Sequence, residues 1–218
     1  MKSKKIKGLY AVTADEANTE HLLSNAKAAL SAGINVLQYR NKTASKQLAA
    51  EQAEALLLLC REYNVPLIIN DDVELALKID ADGVHLGASD GNLRDARKKL
   101  GEDKIIGASC YNRLEIAQFA AQNGVDYVAF GACFVSGTKP NAPKADLKLF
   151  TQAKQVLDLP IVAIGGITLE NAPSVIQAGA DAIAVIGALW NVSDGSAGDA
   201  QAIQKTTQQF TQLFGQPI

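Results

Sequence analysis

The stretch VAIGGITLENAPSVIQAGADAIAVIGALW, residues 162–190, holds two apolar runs, each ending at glycine, with an amphipathic segment between them. The runs "PIVAI" (160–164) and "AIAVI" (182–186) have no polar alternation, so each reads as a strand buried on both faces. Gly165-Gly166 and Gly187 stand where these strands end. Glycine at such a place lets the backbone approach a ligand closely and turns its N–H groups outward. Two such strand ends side by side suit a phosphate.

The same pattern extends along the chain in both directions. Strand candidates are "GLYAVT" (8–13), "NVLQYR" (35–40), "PLIIN" (66–70), "GVHL" (83–86), "IIGAS" (105–109) and "YVAFG" (127–131), ahead of the two already named. Helical stretches rich in strong helix formers separate them, such as 45–63 and 112–123, and a final helix follows 191–200. Four segments turn from a helix into the next strand through Ala/Gly: "SAGINV", "DADGVH", "QNGVDYV" and "QAGADAIAV". Eight β/α units in 218 residues give about 27 residues each, which fits a single (β/α)8 TIM barrel over 1–218. A doubly wound open sheet is the alternative, but normally takes fewer strands at this length. In the barrel, chemistry sits at the C-terminal strand ends and phosphate often binds after strands 7 and 8. The glycines of the opening stretch fall at that place.

Bulk properties narrow the function. The chain is 48% hydrophobic and 20% charged, as for a soluble globular protein. A net charge of −2 gives no basic field for nucleic acid, and no apolar run reaches the length of a membrane span. The basic "KSKKIK" near the start reads as a solvated end rather than a targeting segment. Cys60, Cys110 and Cys133 lack C-x-x-C spacing, and with only His21 and His85 besides, they read as buried thiols of a reducing, cytoplasmic compartment. The expected partners are small-molecule substrates, and a homo-oligomer is compatible with the sequence.

Polar residues gather at the strand ends. "QYRNK" follows strand 2 with Gln38, Arg40 and Lys42; "NDD" closes strand 3 with Asn70, Asp71 and Asp72. Asp90 lies just beyond strand 4, Ser109 ends strand 5, and "FVSGTKP" after strand 6 brings Ser136, Thr138 and Lys139. Mg²⁺ typically takes one or two carboxylates plus phosphate oxygens and waters, which suits Asp71 and Asp90. Arg40, Lys42 and Lys139 suit a departing pyrophosphate. Each residue also has a plainer reading: Asp72, Asp71 and Asp90 as helix N-terminal groups, His85 as a satisfied core residue, Arg40 and Lys42 as solvated charges, Ser109 as a local backbone partner.

Taken in order, "LYAVT", "LQYRNK", "INDD", "ADGVHLG", "GAS", "YVAFGACFVSGTKP" and "VAIGGITLENAPSVIQAGADAIAVI" resemble the thiamine-phosphate synthases over almost the whole chain. The resemblance implies a (β/α)8 barrel that joins an aminopyrimidine methyl diphosphate to a carboxylated thiazole ethyl phosphate, releasing pyrophosphate and CO2. It implies that Gln38, Tyr39, Arg40, Asn41, Lys42, Asn70, Ser109 and Lys139 bind the pyrimidine diphosphate, with Lys42, Ser109 and Lys139 catalytic. It further implies that Asp71 and Asp90 hold Mg²⁺ and that Ser136, Gly137, Thr138, Gly166, Ile186 and Gly187 bind the thiazole phosphate. The chain departs from the family pattern at 88–89, where a Gln-Glu pair is common, at Ser136 for threonine, at Gly187 for serine and at Asp72 for arginine. The related thiazole tautomerases share the barrel but carry a catalytic histidine two residues beyond the strand 5 serine, where this chain has Tyr111. A non-catalytic barrel that binds a thiamine precursor is the reading from another class.

Overall fold

Eight parallel strands close into a ring in the computed structural model, which describes residues 6–87, 93–135, 145–191 and 200–215. They are β1 Gly8–Val12, β2 Val36–Tyr39, β3 Leu67–Asn70, β4 Gly83–Gly87, β5 Ile105–Ser109, β6 Tyr127–Phe130, β7 Ile161–Ile164 and β8 Ala182–Val185, with β8 paired back onto β1. The helices among the described residues are α1 Thr19–Ser31, α2 Lys46–Glu62, α3 Val73–Ile79, α4 Leu93–Leu100, α5 Leu114–Gln122, α6 Leu147–Val156, α7 Ala172–Gln177, α8 Gly187–Trp190 and α9 Ala200–Gln212. Every strand lies within two residues of its sequence expectation. The four-residue α8 was not expected; it begins at Gly187 and returns Trp190, whose Nε1 donates to Val12 O on β1 at 2.5 Å.

Side chains of successive strand residues point alternately into the barrel and out toward the helices. Outward residues such as Leu37, Ile69, Val84 and Phe130 join a continuous sheet-helix core. Inward residues form a second cluster that includes Ile6, Val36, Ile68 and Ile105 at one end and Tyr10, Tyr127 and Val162 further along. Small residues make room for the large ones: a Cβ on Gly107 would lie 2.0 Å from Cζ of Tyr127.

The four Ala/Gly turns carry a device that sequence periodicity does not announce. In each, the polar residue just before an even strand accepts from the first backbone N–H groups of the preceding odd strand. Asn35 Oδ1 accepts from Leu9 N at 3.0 Å, Asp82 Oδ2 from Leu67 N at 2.8 Å, Asp126 Oδ2 from Ile106 N and Asp181 Oδ2 from Ile161 N, both at 2.7 Å. The three carboxylate acceptors make their bonds stronger than neutral ones, whereas Asn35 offers a neutral amide oxygen. In "DADGVH" the left-handed residue that ends the helix is Asp80 (φ 58), not the glycine, and Gly83 is needed instead because a Cβ there would lie 2.1 Å from Ile105 O. Asp72 caps α3, its side chain accepting from Leu75 N at 2.8 Å, as its plainer reading expected.

Candidate active site

A cavity of about 500 Å³ opens at the C-terminal ends of the strands. The parity of the strands decides who lines it. On β2, Gln38 points inward and is buried, and Arg40 beyond it shares that side. Tyr39 points out: its hydroxyl donates to Gln52 Oε1 at 2.9 Å, between the sheet and α2. Burial pushes the Tyr39 phenol up to about 12. Asn41 also turns away, donating through Nδ2 to Glu16 O at 2.7 Å and to Gln52 Oε1 at 3.1 Å. Of the residues that the resemblance assigns to the pyrimidine diphosphate, Tyr39 and Asn41 thus direct their side chains away from the cavity and anchor the loop from behind.

Arg40 is held at the mouth by two residues that the motif reading passed over. Thr13 is buried at the end of β1, accepting from Arg40 N and donating to Arg40 O, both at 2.8 Å. Asp15 Oδ1 pairs with Arg40 Nη1 at 3.2 Å and accepts from Lys42 N at 2.8 Å. The Lys42 side chain is exposed at the rim and is not part of the cavity wall.

Across the floor of the cavity runs an unbroken row of hydrogen bonds. Gln38 Nε2 donates to Tyr10 OH at 2.9 Å, Tyr10 OH meets Tyr127 OH at 2.7 Å, Tyr127 OH meets His85 Nδ1 at 2.9 Å, and His85 Nε2 meets Ser109 Oγ at 2.8 Å. Burial lowers the His85 pKa to about 4, so the ring is neutral at physiological pH. Burial also raises both tyrosine phenols. The plainer reading of His85 as a satisfied residue is right about its bonding, yet its ring is part of the cavity wall. Tyr10 and Tyr127 sit inside apolar strands and read there as ordinary core; their inward parity, shared with Gln38 and Ser109 through the barrel register, is the signal that would have found them.

Asn70 lines the cavity at the end of β3, and its Nδ2 donates to Asp71 Oδ2 at 2.7 Å. Asp71 is exposed at the rim in a left-handed conformation (φ 61), with its N–H held by His85 O at 2.9 Å. That places hard carboxylate oxygens facing solvent at the mouth, a donor type that suits Mg²⁺. Among the described residues, no three or more His, Cys, Asp or Glu side chains come together as a metal-binding group. Asp90 lies outside the described residues, as do Ser136, Gly137, Thr138 and Lys139.

The opposite wall is backbone. Gly165 (φ 99) and Gly166 (φ 65) turn off the end of β7, while Ile186 and Gly187 close the end of β8, and all four line the cavity. Asn171 braces this turn, donating from Nδ2 to Gly166 O and accepting from Thr168 N, both at 2.9 Å. The turn is packed against the segment after β6: a Cβ on Gly166 would lie 2.5 Å from Val135 O and 2.7 Å from Phe134 O. Gly187 differs, since a Cβ there would meet nothing nearer than Asn191 Nδ2 at 3.5 Å. Tyr111 lines the wall beyond Ser109, and Cys60, Cys110 and Cys133 are buried free thiols, each pushed up to about 12 by burial. Thiols in that state are poor nucleophiles.

Residues 9–189 match a family model described as thiamine monophosphate synthase. A thiamine-phosphate synthase of Methylobacillus flagellatus is 58% identical over 209 residues, covering 96% of each chain. One of Nitrosospira multiformis is 51% identical over 211 residues, covering 97% of this chain and 87% of its own length. Among solved structures, a thiamine phosphate pyrophosphorylase from Pyrococcus furiosus superposes with a TM-score of 0.82 at 31% identity, covering 97% of this chain and 96% of that one.

Proposed function

Because the chain belongs to the thiamine monophosphate synthase family, we propose that its cavity is divided between the two substrates of thiamine phosphate formation. The enzyme is a transferase that joins a 4-amino-2-methylpyrimidine methyl diphosphate to a carboxythiazole ethyl phosphate. The pyrimidine lies on the polar floor, where Gln38, Asn70 and Ser109 meet its ring. Its diphosphate lies toward Arg40, Lys42 and Lys139, with Lys42, Ser109 and Lys139 touching the reacting end. The thiazole phosphate lies against Gly166, Ile186 and Gly187, with Ser136, Gly137 and Thr138 as its further binding residues. The observation that carries this division is the cavity's asymmetry: one wall is a row of bonded side chains, the other a glycine backbone turn.

The C–O bond between the pyrimidine methylene and the diphosphate breaks heterolytically, and its electron pair leaves with pyrophosphate. The ring amine delocalises the positive charge on the methylene. The thiazole nitrogen lone pair then forms the new C–N bond, and CO2 leaves the thiazolium with its electron pair retained at carbon, which takes up a proton. No side-chain nucleophile is required; the protein orients two reactants and stabilises a departing anion. Mg²⁺ held by Asp71 and Asp90 would supply further positive charge to that anion. The buried free thiols support a reducing, cytoplasmic setting, and no helix among the described residues is long and apolar enough to cross a membrane.

The test is pyrophosphate release from both substrates with Mg²⁺, followed by omission of each component in turn. Release that needs both organic substrates supports the proposal. Isomerisation of the thiazole alone would place the chain with the tautomerases, and tight binding without turnover would make it a non-catalytic binder.

A further inference from the structure

The row of hydrogen bonds across the cavity floor has a property that its individual bonds lack. Each hydroxyl and the neutral imidazole has one proton to give along the row, so the direction of one bond sets the direction of the next. Gln38 Nε2 faces Tyr10 OH, so Tyr10 passes its own proton to Tyr127, and Tyr127 passes its proton to His85 Nδ1. His85 is then protonated at Nε2 and donates to Ser109 Oγ. In that direction Gln38 presents Oε1 to the cavity as an acceptor, and Ser109 keeps its hydroxyl proton to donate. The reverse direction exchanges both roles: Gln38 presents its NH2 group and Ser109 only lone pairs.

We infer that Tyr10, Tyr127 and His85 are positioning residues that couple Gln38 to Ser109, making one an acceptor toward the pyrimidine whenever the other is a donor. This deepens the proposed placement of the pyrimidine on the floor and rests on it for its effect on substrate. An aminopyrimidine offers both an N–H donor and ring-nitrogen acceptors, so it satisfies a coupled pair of opposite sense. A ring edge with acceptors alone leaves one end of the row unpaired. The rings of Tyr10 and Tyr127 line the cavity, but their hydroxyls are bonded within the row, so their polar influence on the substrate passes through its two ends, Gln38 and Ser109.

The coupling is read without any substrate by ¹⁵N NMR of histidine-labelled protein, in which His21 and His85 are the only histidines. Wild-type protein should show His85 protonated at Nε2. Gln38→Glu, studied near pH 9 so that the carboxylate is ionised, offers only acceptors to Tyr10. It should reverse the row and move the His85 proton to Nδ1, although residues 38 and 85 are separated by two tyrosines. In a Tyr127→Phe background the same substitution should leave the His85 tautomer unmoved. An identical tautomer in wild type and Gln38→Glu overturns the coupling. A second arm uses Tyr10→Phe, which keeps the ring and severs Gln38 from the row. It should raise KM for the pyrimidine diphosphate by roughly tenfold, the scale of one lost buried hydrogen bond, and leave KM for the thiazole phosphate within about twofold. Equal changes in both KM values would reduce the row to a structural role. If the tautomer reverses while the pyrimidine diphosphate fails to bind wild-type protein, the coupling stands and the proposed function falls.

Discussion

Replacing Gly166 with alanine adds one methyl group, and the structure says where it goes. The residue sits at φ 65, where an L side chain costs about 1–2 kcal/mol. Its Cβ would lie 2.5 Å from Val135 O, 2.7 Å from Phe134 O and 2.8 Å from Phe134 C, all backbone atoms that cannot rotate aside. Forcing a methyl group into packed surroundings costs a further 1–3 kcal/mol or so. A total of about 2–5 kcal/mol corresponds, at roughly 2–4 °C per kcal/mol for a chain of this size, to a melting temperature lower by about 4–20 °C. Part of the strain is relieved by moving residues 134–135, the segment that runs directly into Ser136. KM for the thiazole phosphate should therefore rise more than KM for the pyrimidine diphosphate. Gly187→Ala is the internal control: its φ is not left-handed and its Cβ has room, so stability should hold or rise slightly. Thermal unfolding followed by circular dichroism, with both KM values, measures all of this. A Gly166→Ala protein that melts within about 2 °C of wild type with unchanged KM values would refute the reasoning.

Three further outcomes are expected. Burial holds His85 at about 4, below the ~6.5 of a histidine in an unfolded chain, so as pH falls the unfolded state takes up the proton first. The stability tied to neutral His85 is therefore complete above about pH 6.5 and is lost toward pH 4, by roughly 3 kcal/mol in all; urea midpoints should fall less steeply over this range in His85→Gln, and equal slopes would count against it. Gly107→Ala would put a Cβ 2.0 Å from Cζ and 2.4 Å from OH of Tyr127, so the ring must shift and break its bonds to Tyr10 and His85. It should lower the melting temperature and raise KM for the pyrimidine diphosphate, visible in the same two assays. Asp71→Asn keeps a residue type that tolerates φ 61, so the protein should fold normally while the Mg²⁺ concentration for half-maximal pyrophosphate release rises by about tenfold or more through loss of a charged ligand.

The barrel was legible because its strands are short, apolar and closed off by turns, which leaves periodicity little to confuse. The site was legible as a place rather than as a set of side chains. Gln38 and Arg40 share a parity that Tyr39 and Asn41 do not, and that period of two distinguishes cavity from backing in the single word "QYRN". Tyr10, Tyr127 and His85 were hidden for the opposite reason, since polar atoms inside apolar strands look like core until the register across the barrel brings them together. Thr13 and Asp15 act on Arg40 from 25 or more residues away in the chain, and no local pattern announces such bonds. Gly166 was read as a place for a phosphate to approach; the structure adds that the neighbouring backbone already needs the missing side chain's space.

The four side-chain bonds at the strand starts divide the ring into quarters. Asn35, Asp82, Asp126 and Asp181 each fasten an odd strand to the unit that ends in the next even strand, across only 26, 15, 20 and 20 residues of chain. Loops that short are cheap to close, so each strand-helix-strand quarter can secure itself before the ring is complete. The pairing of β8 with β1 is then the step that must bring distant ends of the chain together. All four fastenings lie at the barrel's floor end, opposite the mouth where the chemistry is placed. A lineage of such barrels can therefore rewrite its mouth, loop by loop, and inherit the means of assembly unchanged.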